Sequence, residues 1–566
     1  MSRAVVVFLT ATNICIASIT VQRCSGQEVY SDTLRAIIVF AKFADDQTRG
    51  DPAVNFREWP VSLQTIPDFG KRILARTPSG PFPDSSLTAY YNVQSQGNFL
   101  IWGEAFPRIY TTKEREQAYH RPDGGYGKLT LEILQYLDTN GYDFRDYDYN
   151  SDGQLDYLFI ILRSDSERDA KKMTWTGISC LDARCGGGLS AGTFIPAPEL
   201  DGIKVDWNTS GSILFNRTPG NVSSFWYHVR LMAHELGHDL WQRYFVHIPA
   251  LRSNDVPFVS NRDPKYSCIG YVLMAGAGGA PDCSGDYTIS AFERELHGWI
   301  TCDTVDVNRF TILEIGDLYT TSDCYKIPSQ PGNSFLYLSN RQRIGPFDVR
   351  KRGGSHGQFD LGLLRTTGLL VMKSSGVQLD VLPADNSLDL SAQSLDYAGD
   401  LFQDNTQLTP FTRPNINGYT LYRGNSEPLW YALDNIRNDA DSDYLMSVDF
   451  VPDFRTDPDI RSDSWIGPEP DSVNFTGLMT VLNSATLTID RANVSTGDIR
   501  VRRGSTLHVK EGSILTLNGC SLLRLDRGAR LVNEGVIIVG RGIFSVAGSS
   551  FNLSGRLSID SGCHSD

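Results

Sequence analysis

The clearest candidates for chemistry are five consecutive residues, His234-Glu235-Leu236-Gly237-His238. Two histidines four positions apart on a helix project from one face, so both imidazoles can bind a single metal ion. Glu235 follows the first histidine and is close enough to act on a metal-bound water without being a ligand. The pattern predicts zinc held by His234 and His238, with Glu235 as the catalytic base that activates the water for attack on a peptide carbonyl.

A catalytic zinc normally has three protein ligands and one open position. The candidates for the third ligand are Asp239, Tyr244, His247 and Glu293. Trp241 stands where a glycine would end the helix, so the helix is free to continue and to carry Tyr244 away from the metal. The rival interpretation is a pair of core histidines, but each buried imidazole would then need its own partner, whereas one ion serves both.

The histidines need a helix and a support beneath them. In the segment SSFWYHVRLMAHELGHDLWQRYF (223–245), apolar residues recur at three- and four-residue steps, which predicts a helix that begins at Ser223 or Ser224. A second helix is predicted over KLTLEILQYLDTNG (128–141). Downstream, the glycine-rich run at 270–279 contains one methionine, Met274, which alone is a weak signal.

A separate run of acidic and amide side chains predicts a calcium site. Oxygen side chains occupy alternate positions from Asp148, and Gly153 occupies the sixth, as in the first part of an EF-hand loop. Phe159 replaces the usual final glutamate, so the loop opens into a strand, and the Gln154 carbonyl is expected to contribute. The predicted side-chain ligands are Asp148, Asn150, Asp152 and Asp156. The alternative is a polar turn that binds no ion.

The rest of the chain predicts a multidomain protein. A mixed α/β catalytic domain is followed by short strands with Gly, Ser and Asp turns, then by a stretch dense in Asp and Pro, and finally by strands of about four residues that recur every seven or eight. This last pattern is typical of a β-solenoid, with a small β-sandwich as the alternative. The predicted divisions are a signal peptide (1–26), the catalytic domain (27–305), a β-rich, sandwich-like domain (306–455), a linker (456–472) and β-solenoid-like repeats (473–566).

The N terminus predicts export. Arg3 precedes an apolar stretch at 4–21 and small residues follow at Ser25 and Gly26, which is the layout of a secretory signal peptide; an uncleaved membrane anchor is the alternative. Of ten cysteines, eight follow this segment, as expected for an oxidised, exported protein. The predicted disulfides are Cys180–Cys185, Cys268–Cys283, Cys302–Cys324 and Cys520–Cys563. Glycan acceptor sequons occur at Asn208, Asn216, Asn221, Asn474, Asn493 and Asn552.

Charge narrows the range of partners. With 52 basic and 66 acidic residues the net charge is −14, so phosphate backbones and anionic lipid surfaces repel the protein. Nucleic acid and stable membrane insertion are therefore not expected, and protein or peptide substrates are. The sequence does not predict an oligomeric state.

Several segments together resemble the secreted immune inhibitor A-like zinc metallopeptidases, over about residues 35–451. The matching segments are SSLTAYYNVQSQGNF, DYDYNSDGQLDYLFII, MAHELGHDL, VLMAG, ISAFERELHGWI, YLSNRQRIGPFD, TTGLLVM and GDLF. The resemblance implies a zincin-like fold, zinc on His234 and His238, Glu235 as the base, Met274 as the apolar floor of a methionine turn, and structural Ca²⁺. Trp241 and Tyr244 stand where the family commonly has a glycine and then an acid.

These observations predict a secreted zinc endopeptidase that hydrolyses extracellular proteins. The alternative is a catalytically inactive extracellular binding or matrix protein built on the same fold. Substrate preference and the role of the repeats are not predicted by the sequence.

Overall fold

The structure of the protein is a computed structural model. It describes residues 32–47, 56–77, 85–120, 125–165, 177–182, 196–216, 218, 223–241, 272–274, 289–330, 334–342, 344, 347, 351–352, 359–360, 367–376, 378–385, 399–414, 416, 429–439, 444–468 and 470–559. The predicted signal peptide (1–26) lies outside these ranges. Within them, no helix has the length and apolar character needed to cross a membrane.

The N-terminal part contains a mostly parallel sheet. Strands in this part are β1 (Asp32–Lys42), β2 (Phe99–Ala105), β3 (Tyr110–Thr111), β4 (Tyr157–Leu162), β5 (Gly177–Ile178), β6 (Glu199–Leu200), β7 (Ile203–Lys204) and β8 (Gly211–Phe215). The sheet has the order β2-β1-β4-β8-β5, with β3 paired to β1 and with β6 and β7 forming a separate hairpin. Every pairing in the sheet is parallel except that of β5, the edge strand, which runs antiparallel to β8.

Helices cover both faces of this sheet. They are α1 (Leu87–Gln94), α2 (Gly125–Thr139), α3 (Ser224–Leu240) and α4 (Ala291–Leu296), with short 3-10 helices at Gly70–Arg72, Glu116–Tyr119 and Phe144–Tyr147. Alternate residues of β1 point to opposite faces: Ile38 packs in the cluster that contains α1 and α3, and Ile37 packs in the cluster that contains α2. The sequence therefore reads as a continuous apolar run, as expected for a strand buried on both sides. The helices predicted around residues 128–141 and 223–245 are confirmed as α2 and α3.

The middle part is a β-sandwich. Its strands are β9 (Asp303–Thr304), β10 (Thr311–Ile315), β11 (Cys324–Gln330), β12 (Ser334–Arg341), β13 (Lys351–Arg352), β14 (Phe359–Asp360), β15 (Gly368–Ser375), β16 (Gln378–Val381), β17 (Thr406–Leu408), β18 (Ala432–Asn438) and β19 (Met446–Val451). Two sheets, β10-β19-β18-β17 and β16-β15-β12-β11-β9, share one apolar core, and β13 pairs with β14.

The C-terminal part confirms the expected stack of parallel strands. The strands are β20 (Asp459–Ile460), β21 (Ser464–Ile466), β22 (Ser472–Asn474), β23 (Met479–Val481), β24 (Thr486–Ile489), β25 (Asn493–Thr496), β26 (Ile499–Val501), β27 (Thr506–Val509), β28 (Ile514–Leu517), β29 (Leu522–Leu525), β30 (Arg530–Asn533), β31 (Val536–Val539), β32 (Gly542–Ser545), β33 (Ser550–Leu553) and β34 (Arg556–Ile559). Every third strand pairs, giving three five-stranded parallel sheets.

Each coil of this solenoid buries its apolar side chains on the next coil. Leu487, Leu507 and Leu531 occupy the same position in successive coils, pair in register and are fully buried. The segment 456–472, expected to be a linker, contains β20 and β21, which pair with the following coil. The sequence does not reveal these strands, because they are only two and three residues long and lie in a stretch rich in Asp and Pro.

The described cysteines and sequons give further outcomes. The Cys302–Cys324 disulfide is confirmed, with a Cα–Cα distance of 4.9 Å. Cys180 and Cys520 are also disulfide-bonded, whereas Cys185, Cys268, Cys283 and Cys563 lie outside the described ranges, so those pairings stay predictions. Among the sequons, Asn216 is 2% exposed and its Oδ1 accepts a hydrogen bond from Thr218, so its burial in the folded protein speaks against this residue as a glycan acceptor. Asn221 is not described.

Candidate metal centre

Helix α3 carries His234, Glu235 and His238 in its last two turns, and two tyrosines tie this part of the helix to the domain. The Tyr91 hydroxyl on α1 donates to the carbonyl of Ala233 at 2.7 Å. The Tyr157 hydroxyl on β4 donates to the carbonyl of Glu235 at 3.3 Å. Both tyrosines are almost fully buried, so the turn that presents the site is held by the sheet on one side and by α1 on the other.

The helix ends at Leu240, although no glycine is present to end it. Trp241 caps it: its backbone N–H donates to the carbonyl of Gly237 at 3.0 Å, and its ring N–H donates to the carbonyl of Glu293 at 3.1 Å. The Trp241 ring is 1% exposed. Tertiary contacts of this large side chain therefore fix the end of the helix, and the continuation considered from the sequence does not occur in the described residues.

The two histidines lie side by side on the helix, as the spacing predicts. Their ring centroids are 4.9 Å apart and the rings are almost perpendicular. Nδ1 of His234 is 2.8 Å from the carbonyl oxygen of Leu273. Because a carbonyl only accepts, this contact requires the proton on Nδ1, so Nε2 is the ring nitrogen that carries the lone pair. Two partly exposed imidazoles, one already oriented by a carbonyl, are a donor set that fits zinc.

Glu235 lies between the two histidines in the sequence of the helix, and its side chain occupies a position that only a glycine at its neighbour permits. Its side chain faces Gly177 on the edge strand β5, where an added Cβ would lie 2.2 Å from Oε1 of Glu235. The carboxylate is almost fully buried, and burial raises its pKa to about 8. Gly177 was not singled out from the sequence, because this contact joins distant parts of the chain and neither residue's neighbours indicate it.

Met274 lies against the same turn of the helix. It is fully buried, and an added Cβ at Gly237 would lie 2.3 Å from its sulfur. Gly237 lies between the two histidines in the sequence and has no side chain, so the thioether of Met274 can pack closely against the helix backbone there. The structure describes residues 272–274 of the predicted glycine-rich run; the remainder of 270–279 lies outside the described ranges.

Two of the four third-ligand candidates are described. The carboxylate of Glu293 accepts four hydrogen bonds, which anchor it among backbone groups: from Met274 N at 2.8 Å, Leu273 N at 3.2 Å, Ser290 N at 2.8 Å and Ser290 Oγ at 2.8 Å. Asp239 follows His238 directly, and consecutive helical residues do not face the same side. Burial raises the pKa of Asp239 to about 7, with Asp206 adding to the effect. Tyr244 and His247 lie outside the described ranges, so the third ligand stays open.

The predicted calcium loop is closed by hydrogen bonds from its own backbone. Asp148 accepts from the N–H groups of Asp152 and Gly153, both at 2.9 Å, and Asp152 accepts from Gln154 N at 2.8 Å. Asn150 accepts from Asp152 N at 3.0 Å. Gly153 has a φ of +82°, the left-handed conformation that the sixth position requires. These contacts turn the oxygen-bearing side chains around one loop, which fits a hard cation.

Asp156 closes the loop from the strand side. Its Oδ2 accepts from Arg35 N at 2.7 Å and Tyr149 N at 3.1 Å. Burial, together with the charges of Asp148 and Asp152, raises its pKa to about 7. A buried carboxyl group with two further acids nearby is a situation that a bound cation relieves.

The fold brings together a second group of ligand-type side chains. Ligand atoms of Glu116, His120 and Asp165 all lie within 4.8 Å of one another, and Nε2 of His120 is 3.4 Å from Oε1 of Glu116. Asp148, Asp152 and Asp156 are not gathered this closely in the described structure. The sequence contained one signal for this group, the four-residue spacing of Glu116 and His120, but the fold brings in Asp165.

Comparison with known proteins adds no assignment: no protein-family model matches the chain, and no curated protein does.

Proposed function

We propose that the protein is a secreted zinc endopeptidase with a zincin-like catalytic domain. The observation that carries the proposal is that the rings of His234 and His238 lie side by side on the helix turn that also carries the buried Glu235, with Met274 packed against Gly237 between them. The resemblance to the immune inhibitor A-like zinc metallopeptidases supports the same conclusion. His234 and His238 would hold the zinc, which when bound supplies a Lewis acid that polarises a peptide carbonyl.

Glu235 is placed to move the proton. It follows His234 directly on the helix, the position from which a carboxylate can accept a proton from a water at the site and pass it on. In the proposed reaction its carboxylate takes a proton from the attacking water and delivers it to the leaving amine nitrogen, so that water is added across the peptide bond. Burial of the carboxylate keeps bulk water away from this transfer.

The edge strand supports a peptide as the substrate. β5 pairs with β8 on one side only in the described structure, and its Gly177 contacts Glu235. An extended peptide can pair with the edge of such a strand through main-chain hydrogen bonds. This pairing would bring a peptide carbonyl beside the general base without selecting particular side chains.

Calcium and export form the other part of the proposal. Asp148, Asn150, Asp152 and Asp156 would bind structural Ca²⁺ at the loop that leads into β4. The described disulfide Cys302–Cys324 supports an oxidising, extracellular location for the mature chain.

The test is hydrolysis of denatured casein by the purified mature protein. We expect activity that a chelator removes and zinc restores. Glu235→Gln should retain zinc and lose at least about 100-fold in rate, because a general base contributes that much or more. Glu132→Gln is the matched control: Glu132 is also buried, but it binds Tyr110 and Tyr119 on the opposite face of the sheet. Zinc-loaded Glu235→Gln with full activity contradicts the mechanism. A folded wild type without zinc or activity favours the inactive binding or matrix protein.

A further inference from the structure

One carboxylate organises the surroundings of the zinc helix without belonging to the reacting groups. Glu293 lies near the start of α4, where its side chain and Ser290 form a capping box. It is fully buried. The same carboxylate also accepts from the backbone of Leu273 and Met274, which belong to the loop beneath α3. Glu293 thus joins a helix start to the loop that supports the site.

The decisive detail is a single peptide group. The peptide between Leu273 and Met274 donates its N–H to Oε1 of Glu293 at 2.8 Å and accepts from Nδ1–H of His234 through its C=O at 2.8 Å. A continuous path therefore runs from carboxylate to peptide to imidazole. Bonds arranged in this way polarise one another, and a fixed acceptor on Nδ1 sets both the tautomer and the orientation of a metal-binding histidine.

Glu293 also reaches the end of α3. Its backbone carbonyl accepts the ring N–H of Trp241, the residue that caps the helix three positions after His238. The loop and the helix end are consequently fixed to the same residue. A shift of Glu293 would change the position of His234 through the peptide and that of His238 through the cap.

We propose that Glu293 is a positioning residue for zinc: through the Leu273–Met274 peptide it holds His234 in the tautomer and orientation that bind the metal. The inference rests on the proposed function, since it concerns the same site. It assigns Glu293 a role behind the ligands rather than among them.

A neutral amide cannot replace this carboxylate. All four described partners of the Glu293 side chain are donors, and a glutamine would place its own NH₂ donor against one side of them. At least one backbone N–H would lose its acceptor, and the negative charge that polarises the peptide would be removed. Glu293→Asp keeps the charge but is one methylene shorter, so it should recover part of the effect.

The test compares zinc affinity in Glu293→Gln with that in Glu295→Gln, by chelator competition. Glu295 is two residues further along α4 and accepts hydrogen bonds from Cys302 N, Lys326 Nζ and Tyr337 OH, away from the loop and from α3. We expect Glu293→Gln to bind zinc about 10- to 100-fold more weakly, the usual effect of losing an outer-shell partner. Glu295→Gln should bind within about twofold of wild type, and Glu293→Asp should lie between.

A second readout follows the histidine directly. In metal-free, ¹⁵N-histidine-labelled protein, the Nδ1–H tautomer of His234 should dominate in wild type and in Glu295→Gln and should be depleted in Glu293→Gln. If Glu293→Gln does not fold, Glu293→Asp is measured in the same two ways. Equal zinc affinity and tautomer in wild type and the Glu293 variants overturn the inference while leaving the proposed function intact. A wild type that binds no zinc overturns both.

Discussion

Gly177→Ala should inactivate the protein without touching a ligand. The new Cβ would lie 2.2 Å from Oε1 of Glu235, 2.5 Å from Cδ and 2.7 Å from Cγ. Ordinary contact begins near 3.4 Å, so the carboxylate must retreat by about 1 Å or the edge strand must move by as much. Retreat is the easier response for a side chain, although Glu235 is buried and has little free space.

The size of the effect follows from that displacement. Moving a catalytic group by about 1 Å costs about 100-fold in rate, because proton transfer requires hydrogen-bond distance. His234 and His238 keep their contacts, so zinc affinity should change by less than about threefold. Gly177→Ala should therefore separate activity from metal binding.

The assay is a double-mutant cycle on casein hydrolysis with zinc content measured in each variant. Gly177→Ala, Glu235→Gln and the double variant should all fall to a similar low rate, because removing a displaced base removes nothing further. Ile178→Val is the control: it changes the neighbouring residue of β5, whose side chain packs in the core on the α2 side. A Gly177→Ala rate within twofold of wild type, or additive losses in the double variant, would show that Gly177→Ala does not act by displacing the Glu235 carboxylate.

Three further predictions concern stability. His228 is fully buried against Phe69, and burial lowers its pKa to about 4, so only the unfolded state gains a proton between pH 6.5 and 4. The contribution of the neutral His228 ring to stability is complete above pH 6.5, and about 3 kcal/mol of it is lost as the pH falls to 4. The difference in the free energy of urea unfolding between wild type and His228→Phe should therefore change by about that amount over this range, and a constant difference excludes the assignment. Calcium at about one hundred times its dissociation constant should stabilise wild type by about 2.7 kcal/mol and leave Asp148→Asn unaffected; an equal thermal shift in both contradicts the site. Leu507→Ala should destabilise the solenoid by about 2–5 kcal/mol in calorimetry, without changing zinc affinity; a smaller loss means that the coils do not share one core.

The elements that the sequence predicts well are those whose pattern is local and long. Helix α3 and its histidine pair can be predicted because the apolar spacing and the ligand spacing coincide on one helix. The loop at Asp148 can be predicted because oxygen-bearing side chains alternate around one glycine. The short strands β20 and β21 cannot be predicted, because two or three residues show no periodicity and each strand pairs with another coil.

The contacts that complete the site depend on tertiary structure. Gly177 faces Glu235 only because β5 pairs with β8. The sequence makes Glu293 one of four candidates for the third ligand, but it cannot show that four hydrogen-bond donors surround the carboxylate. Asn216 lies in a glycosylation sequon, but its side chain is buried in the folded protein. In each case the sequence shows the residue type but not the tertiary contacts of its side chain.

The most direct test of the central claim is the zinc content of three purified proteins by mass spectrometry: wild type, His234→Ala and His120→Ala. His120 belongs to the group with Glu116 and Asp165, the one set of three or more among the described residues whose ligand atoms lie within 4.8 Å of one another. We expect about one zinc per chain in wild type and in His120→Ala, and none in folded His234→Ala. Zinc that survives His234→Ala and disappears in His120→Ala, or a zinc-free wild type, would contradict this expectation.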